Sequence, residues 1–464
     1  MRKTLATLLV AAALYLVPFG PLSIKSQSLV ATKFHTVANP IPNRYIVVLA
    51  TTDLGPIADP APTPVATSPK SAMTSTDSAI SPASSSTLAV DSSSTSFVAA
   101  PMPDPVVVGT ATDLTVTYGG TFSRTWSSAL KGFRLHSTEA EAIAMSGDSR
   151  VAFIVQDGAI AVGTPDADPI VMIPDPNVEL IPQPNASWGL DRIDQHFLPL
   201  NEHYAYQNNG EGVNAYVIDT GILTTHWEFR GRASAIYDAI ESGGLGVDCN
   251  GHGSHVAGII GGRTFGVAKK VRLFGVRVLN CQGTGAWSDV IDGVNFVTWH
   301  RAQPAQQGYP AVANMSLGGE TNRAADAAVR NSIRAGVTYV VAAGNGNSDA
   351  STYSPAAVAE AITVGATNRF DSRAEFSNYG STLDLFAPGV SIPSAWIGSD
   401  LMIATASGTS MAAPHVAGVV VLYLQNHRTA SPSAVRSALV AISTSGVVIN
   451  GGMESPNRLL FSNY

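Results

Sequence analysis

VNAYVIDTG, residues 213–221, is apolar at almost every position and then stops on Asp219. Successive side chains of a strand point to opposite faces, so a run that is apolar in both registers belongs to a strand covered on both sides. The pattern returns at VRLFGVRVLN (271–280), AVANMSLGG (311–319), GVTYVVAAGN (336–345) and AITVGAT (361–367), with helical patterning between the runs. This predicts an α/β fold: a mostly parallel, doubly wound sheet with helices on both faces. Ligands of such sheets sit beyond the carboxyl ends of the strands. Asp219 falls there, and an ionised side chain after so many apolar residues needs a partner or water.

The chain has 464 residues, 45% of them hydrophobic, enough for one large domain and a smaller one. Only 13% are charged and the formal net charge is -7, so the basic footprint that nucleic acid requires is missing. MRKTLATLLVAAALYLVPFG sets Arg2 and Lys3 ahead of an apolar run, which reads as a secretory signal over 1–25 better than as an uncleaved anchor. From Thr51 to Val108 the sequence is dominated by Ser, Thr, Pro and Ala, and a disordered insertion is expected. RYIVVLA (44–50) precedes it with a strand pattern. ALKGFRLHSTEAEAIAMSGDSRVAFIVQDG (129–158) follows with strand, helix and strand, Thr138 and Glu141 forming a capping box. These pieces make a small α+β unit over 40–165, joined by a Pro-rich linker (166–187) to a large domain over 188–464.

Two cysteines occur, Cys249 and Cys281. In an exported chain the even count suits one disulfide; two buried thiols are the alternative, and zinc would need more ligands. His252 lies in DCNGHGSHVAGII (248–260), where small residues leave room around an imidazole, and Ser410 lies in ASGTSMAAPHVAG (406–418), at the start of a helical run. A serine hydroxyl is a poor nucleophile alone. It needs a base within reach, and the base needs an acceptor that fixes its tautomer. Asp219, His252 and Ser410 supply those three types, although each taken singly is more often a structural residue. The order Asp, His, Ser and the context GTSMA argue against an α/β-hydrolase, whose serine sits in a GxSxG elbow. No glutamate follows His252 in an HExxH pattern, so a metal pair with His255 is not expected.

YVIDTGI, NGHGSHVAGIIGG, ANMSLGG, VAAGNGN and SGTSMAAPHVAG, in this order, together resemble the subtilisin-like serine peptidases, most closely the proteinase K and aqualysin branch. The resemblance runs from Trp188 to the C-terminus. It implies Ser410 as nucleophile, His252 as general base and then acid, Asp219 orienting the imidazole, and Asn345 as side-chain donor to the oxyanion. His255 and His415 are left as structural residues.

The same resemblance implies a groove in which substrate pairs as a strand between Ser316, Leu317, Gly318 and Gly319 on one side and Gly283, Thr284 and Gly285 on the other. The first specificity pocket would be walled by Ser316–Gly318 and by Ala342, Ala343 and Gly344. No charge lines it, so apolar or aromatic side chains are expected. Trp287 would lid a more distant pocket. A structural calcium is implied at Asp384 with the carbonyls of Ala359 and Ala361; catalysis itself needs no cofactor. The segment from Arg44 to Gly158 resembles the inhibitory propeptide, with the maturation cut expected between Val171 and Ser187. A secreted, monomeric, self-processing endopeptidase acting on polypeptides follows, with no nucleic-acid partner and no membrane association after signal removal. Its rival is a catalytically silent homologue that binds peptides or keeps its propeptide as a regulator.

Overall fold

The computed structural model describes residues 33–50, 101–163, 169–173, 181–240 and 245–464. The signal expected at 1–25 and most of the insertion lie outside these residues, as do 164–165 at the end of the small unit and 166–168 and 174–180 of the linker.

The five apolar runs become consecutive members of one nine-stranded sheet, in the order 233–238, 272–277, 214–219, 311–315, 337–342, 362–367, 385–388, 458–459 and 444–445. Every neighbouring pair is parallel except the last. From Asn214–Asp219 the chain first builds outward to one edge, then returns to place Ala311–Met315 on the other flank. That reversal is a topological switch point, where a crevice opens beyond the carboxyl ends. Asp219 ends one of the two strands and Ser316 follows the other.

Alternation along Asn214–Asp219 divides the core. Ala215 and Val217 pack with the long helix Thr409–Asn426 on one face. Tyr216 and Ile218 pack with the helices Trp287–Ala302 and Arg323–Arg334 on the other. No helix among the described residues is long and apolar enough to cross a membrane.

The N-terminal unit is a sheet in the order 34–35, 151–161, 40–49, 132–136 and 121–126. The expected strand, helix and strand are Gly132–His136, Glu139–Ser146 and Val151–Ala161, and the Thr138–Glu141 capping box is formed. Residues 105–108, expected within the disordered insertion, instead begin a helix, Pro105–Tyr118. Asp104 caps it, Pro105 occupies the first turn, and Val107, Ala111 and Leu114 bury against the sheet. Strand Pro40–Leu49 alternates too. Tyr45, Val47 and Leu49 face this unit's own core, whereas Ile46 and Val48 join the core of the large domain.

Charged groups stitch the two units together. Arg44 pairs with Asp157 at 2.8 Å, and Asp157 also accepts from Ser288 Oγ at 2.6 Å. Arg134 pairs with Asp289. Asn295 Oδ1 accepts from the backbone N–H groups of Ser127, Ser128 and Ala129.

Candidate active site

Asp219 is fully buried. Its Oδ1 accepts the Thr220 backbone N–H at 2.7 Å and meets His252 Nδ1 at 2.8 Å. His252 opens the helix His252–Gly261, capped by Gly251 at φ 110°, a left-handed conformation that favours glycine. At Gly253 a Cβ would lie 2.1 Å from Gly221 O, so only glycine lets the helix approach the strand end this closely.

A second carboxylate ties these elements together. Asp248 Oδ1 accepts from Thr220 Oγ1, Asn250 N and Gly251 N, each at 2.9 Å; its Oδ2 accepts from Ser254 N and Ser254 Oγ at 2.9 and 2.7 Å. Thr220 Oγ1 in turn accepts from Gly253 N. Sequence reasoning missed Asp248, Thr220 and Ser254; the acid four residues before His252 was the available signal. Burial pushes the His252 imidazole down, but the charge and hydrogen bond of Asp219, with the charge of Asp248, outweigh it, and the pKa lies above its ordinary value.

Ser410 is the second residue of the helix Thr409–Asn426. Its hydroxyl donates to Ser316 O at 3.0 Å, and Ser316 Oγ donates back to Ser410 O at 2.8 Å. The Ser410 carbonyl is free to accept because residue 414, which would cap it in an uninterrupted helix, is a proline without an N–H. Ser410, His252 and Asn345 line one cavity of about 230 Å³ together with Phe376, Ser407, Met411 and Gly163. His252 Nε2 has no hydrogen-bond partner, so the Ser410–His252 link is not made in this state. Such bonds commonly form only in the reacting complex. Rotation about the Ser410 Cα–Cβ bond would exchange the Ser316 carbonyl for the imidazole.

Asn345 Oδ1 accepts from Thr409 N and Thr409 Oγ1 at 2.9 and 2.8 Å, which leaves its NH₂ for the cleft. His255 and His415 lie apart from this chemistry, as expected. His255 Nε2 is shared between the carbonyls of Ile392 and Ala404, and His415 Nδ1 meets Met411 O. Desolvation is the main cause that lowers them to about 3 and about 4, so both are neutral packing elements.

The two expected walls face each other across a strand of the chain itself. Thr284, Gly285 and Ala286 pair antiparallel with Ala161, Ile160 and Ala159. On the same side Val162 N donates to Gly283 O at 2.9 Å, and on the opposite side Ala161 bridges Gly318. Ser316–Gly319, Ala342–Gly344, Asn345 and Ser410 line a cavity of about 180 Å³ without a charged side chain. Trp287 is buried and flanks Gly319 together with Ile160.

Cys249 and Cys281 are joined as a disulfide. The calcium site does not fit the arrangement found. Asp384 Oδ1 takes both Nε and Nη2 of Arg436 at 2.6 Å, and Oδ2 accepts Thr363 N at 3.0 Å. A guanidinium already supplies the positive charge that the ion would bring, and Ala359 and Ala361 add only neutral carbonyls.

A buried carboxylate orienting an imidazole, a serine in the positive field of a helix N-terminus and a groove that pairs an extended chain define a serine hydrolase on a doubly wound α/β sheet. The Subtilase family model, Peptidase S8, matches residues 210–457, and the chain belongs to that family. It is 51% identical over 347 residues to the extracellular serine proteinase of Thermus sp. (strain Rt41A), covering 74% of this chain and 78% of that protein. It is 47% identical over 334 residues to alkaline serine exoprotease A of Vibrio alginolyticus, covering 72% of this chain and 59% of the relative. Among solved structures, a cold adapted subtilisin-like serine proteinase matches with a TM-score of 0.58 and 49% identity, over 60% of this chain and 99% of that one.

Proposed function

We propose that this chain is a secreted serine endopeptidase that hydrolyses polypeptides through an acyl-enzyme on Ser410, with preference for apolar side chains beside the scissile bond. The Asp219–His252 contact at 2.8 Å, opening on the cavity shared with Ser410, is the observation that carries this reading. In the reaction Ser410 Oγ attacks the scissile carbonyl while His252 Nε2 takes its proton; Asp219 holds the other ring nitrogen and stabilises the imidazolium. The Asn345 NH₂ and the Ser410 backbone N–H stabilise the developing oxyanion. The uncharged cavity behind Ser316–Gly318 supports the apolar preference.

The N-terminal unit acts as inhibitor and folding partner in the same monomeric chain. Its support is the pairing of Ala159–Ala161 with Thr284–Ala286, which takes up the backbone groups an external substrate needs. The extracellular naming of the Thermus relative supports export. Ser410→Ala in the full-length precursor, with hydrolysis of an apolar chromogenic peptide and labelling by a serine-directed phosphonate, tests the reading. Both activities vanish in the variant; proteolysis that persists removes Ser410 from the mechanism.

A further inference from the structure

The strand in the groove also fixes where the chain meets its own nucleophile. Ala161 sits opposite Thr284 on one wall and Gly318 on the other, and Val162 is held by Gly283 O. Antiparallel pairing on both sides leaves no freedom of register along the groove. Ile160, almost fully buried beside Trp287, anchors it further. The next residue, Gly163, lines both the uncharged cavity of Ser410 and Asn345 and the cavity that holds His252. A Cβ at Gly163 would lie 3.8 Å from Asn345 Nδ2, which puts this residue beside the side-chain oxyanion donor.

We infer that the first bond this peptidase cuts is its own, on the carboxyl side of Gly163, and that residues 164–187 stay on the enzyme. The inference rests on the peptidase reading above and replaces the cut expected between Val171 and Ser187. The described ends of that later stretch, 171–173 and 181–187, already pair with the large domain. Ile170–Val171 pairs with Met402–Ile403, and Met172 N donates to Leu401 O at 2.8 Å. Gln183–Pro184 pairs with His203–Tyr204, and Ala186 N donates to Glu202 O. A cut beyond Met172 would carry the first pairing away with the departing fragment, and a cut beyond Pro184 would carry away both strand pairings. Prolines at 174, 176, 182 and 184 would also remove N–H groups that a groove strand donates.

The chemistry balances within the chain and one water. Ser410 Oγ bonds to the Gly163 carbonyl carbon, the bond to the nitrogen of residue 164 breaks, and the hydroxyl proton passes through His252 to that nitrogen. Water then hydrolyses the ester, releasing the Gly163 carboxylate and restoring the hydroxyl. Glycine leaves the specificity cavity of about 180 Å³ unfilled, so self-cleavage forgoes the binding that an apolar side chain would bring. Gly163 is absent from the positive-φ residues, and its Cβ position meets only ordinary contact, so a larger side chain fits the backbone.

The test follows the refolding full-length precursor by intact mass and N-terminal sequencing over time, beside the Ser410→Ala chain and with an apolar chromogenic peptide assayed in parallel. The first new amino terminus is Thr164, with a complementary fragment ending at Gly163, and Ser410→Ala stays whole. Gly163→Leu makes the same cut about tenfold faster or more. A first terminus elsewhere while the peptide is hydrolysed overturns the inference and leaves the peptidase reading standing, as does an unaltered rate for Gly163→Leu. An intact wild-type chain together with an intact peptide overturns both.

Discussion

Replacing Asp248 by asparagine isolates the group that joins the Asp219 strand to the His252 helix. The carboxylate accepts five hydrogen bonds, three at Oδ1 and two at Oδ2. Asparagine keeps the shape but has one acceptor oxygen, so its NH₂ takes the less damaging place of Oδ2. There Ser254 Oγ can turn and accept, while Ser254 N–H is left unpaired. One orphaned buried donor and three weakened bonds would remove several kcal/mol if nothing offset them. Burial, however, raises the Asp248 pKa despite its five donors, so loss of the charge returns part of the desolvation energy. The expected net destabilisation is about 1–3 kcal/mol. The same slackening displaces His252 relative to Ser410, and kcat should fall by about 10- to 100-fold with KM little changed. Urea unfolding of Asp248→Asn in the Ser410→Ala background reads the first quantity, and peptide hydrolysis by the single variant reads the second. An unchanged unfolding midpoint together with unchanged kcat refutes the assignment of Asp248 as a positioning residue.

Asn345→Ala should lower kcat by roughly 10²–10³-fold and leave KM nearly constant, the range found for such a donor in subtilisin, a related peptidase; a change confined to KM would show that the amide binds substrate only. The raised His252 pKa puts the acid limb of kcat/KM above the ordinary imidazole value of 6.5, because the base must be neutral and loses activity as pH falls through its own pKa. A midpoint at or below 6.5 contradicts the Asp219 and Asp248 contributions. Replacing Cys249 and Cys281 by serine together opens a loop of 32 residues and should destabilise the fold by roughly 3–4 kcal/mol, seen in urea unfolding in the Ser410→Ala background. Coincident unfolding curves would mean the bridge contributes nothing.

The large sheet was legible because its strands are covered on both faces, which makes Val213–Ile218 and Val337–Ala342 apolar in both registers. Asp219 stood out because it ends an apolar strand run, and His252, Ser410 and Asn345 because each sits in a motif of mostly small residues. What escaped depended on contacts distant in sequence. The helix Pro105–Tyr118 has β-branched residues at eight of its fourteen positions, and the Asp104 cap with burial of Val107, Ala111 and Leu114 holds it helical. Arg436 lies 52 residues beyond Asp384, so nothing local signals that an arginine occupies the carboxylate. The place where the N-terminal unit enters the groove is set by pairing with Thr284–Ala286 and Gly318, more than a hundred residues downstream.

Strand Pro40–Leu49 belongs to two cores at once, with Ile46 and Val48 packed into the large domain beside Trp126 and Val155. Detachment therefore lays bare an oily face on the departing fragment and strands Arg44 and Arg134 without Asp289. If the N-terminal unit is the inhibitor proposed above, a fragment so undone would be fodder for the protease it had restrained. On the proposed reading activation would then run as a ratchet: each enzyme set free would erode the pool of restraint, and the path back would close behind it.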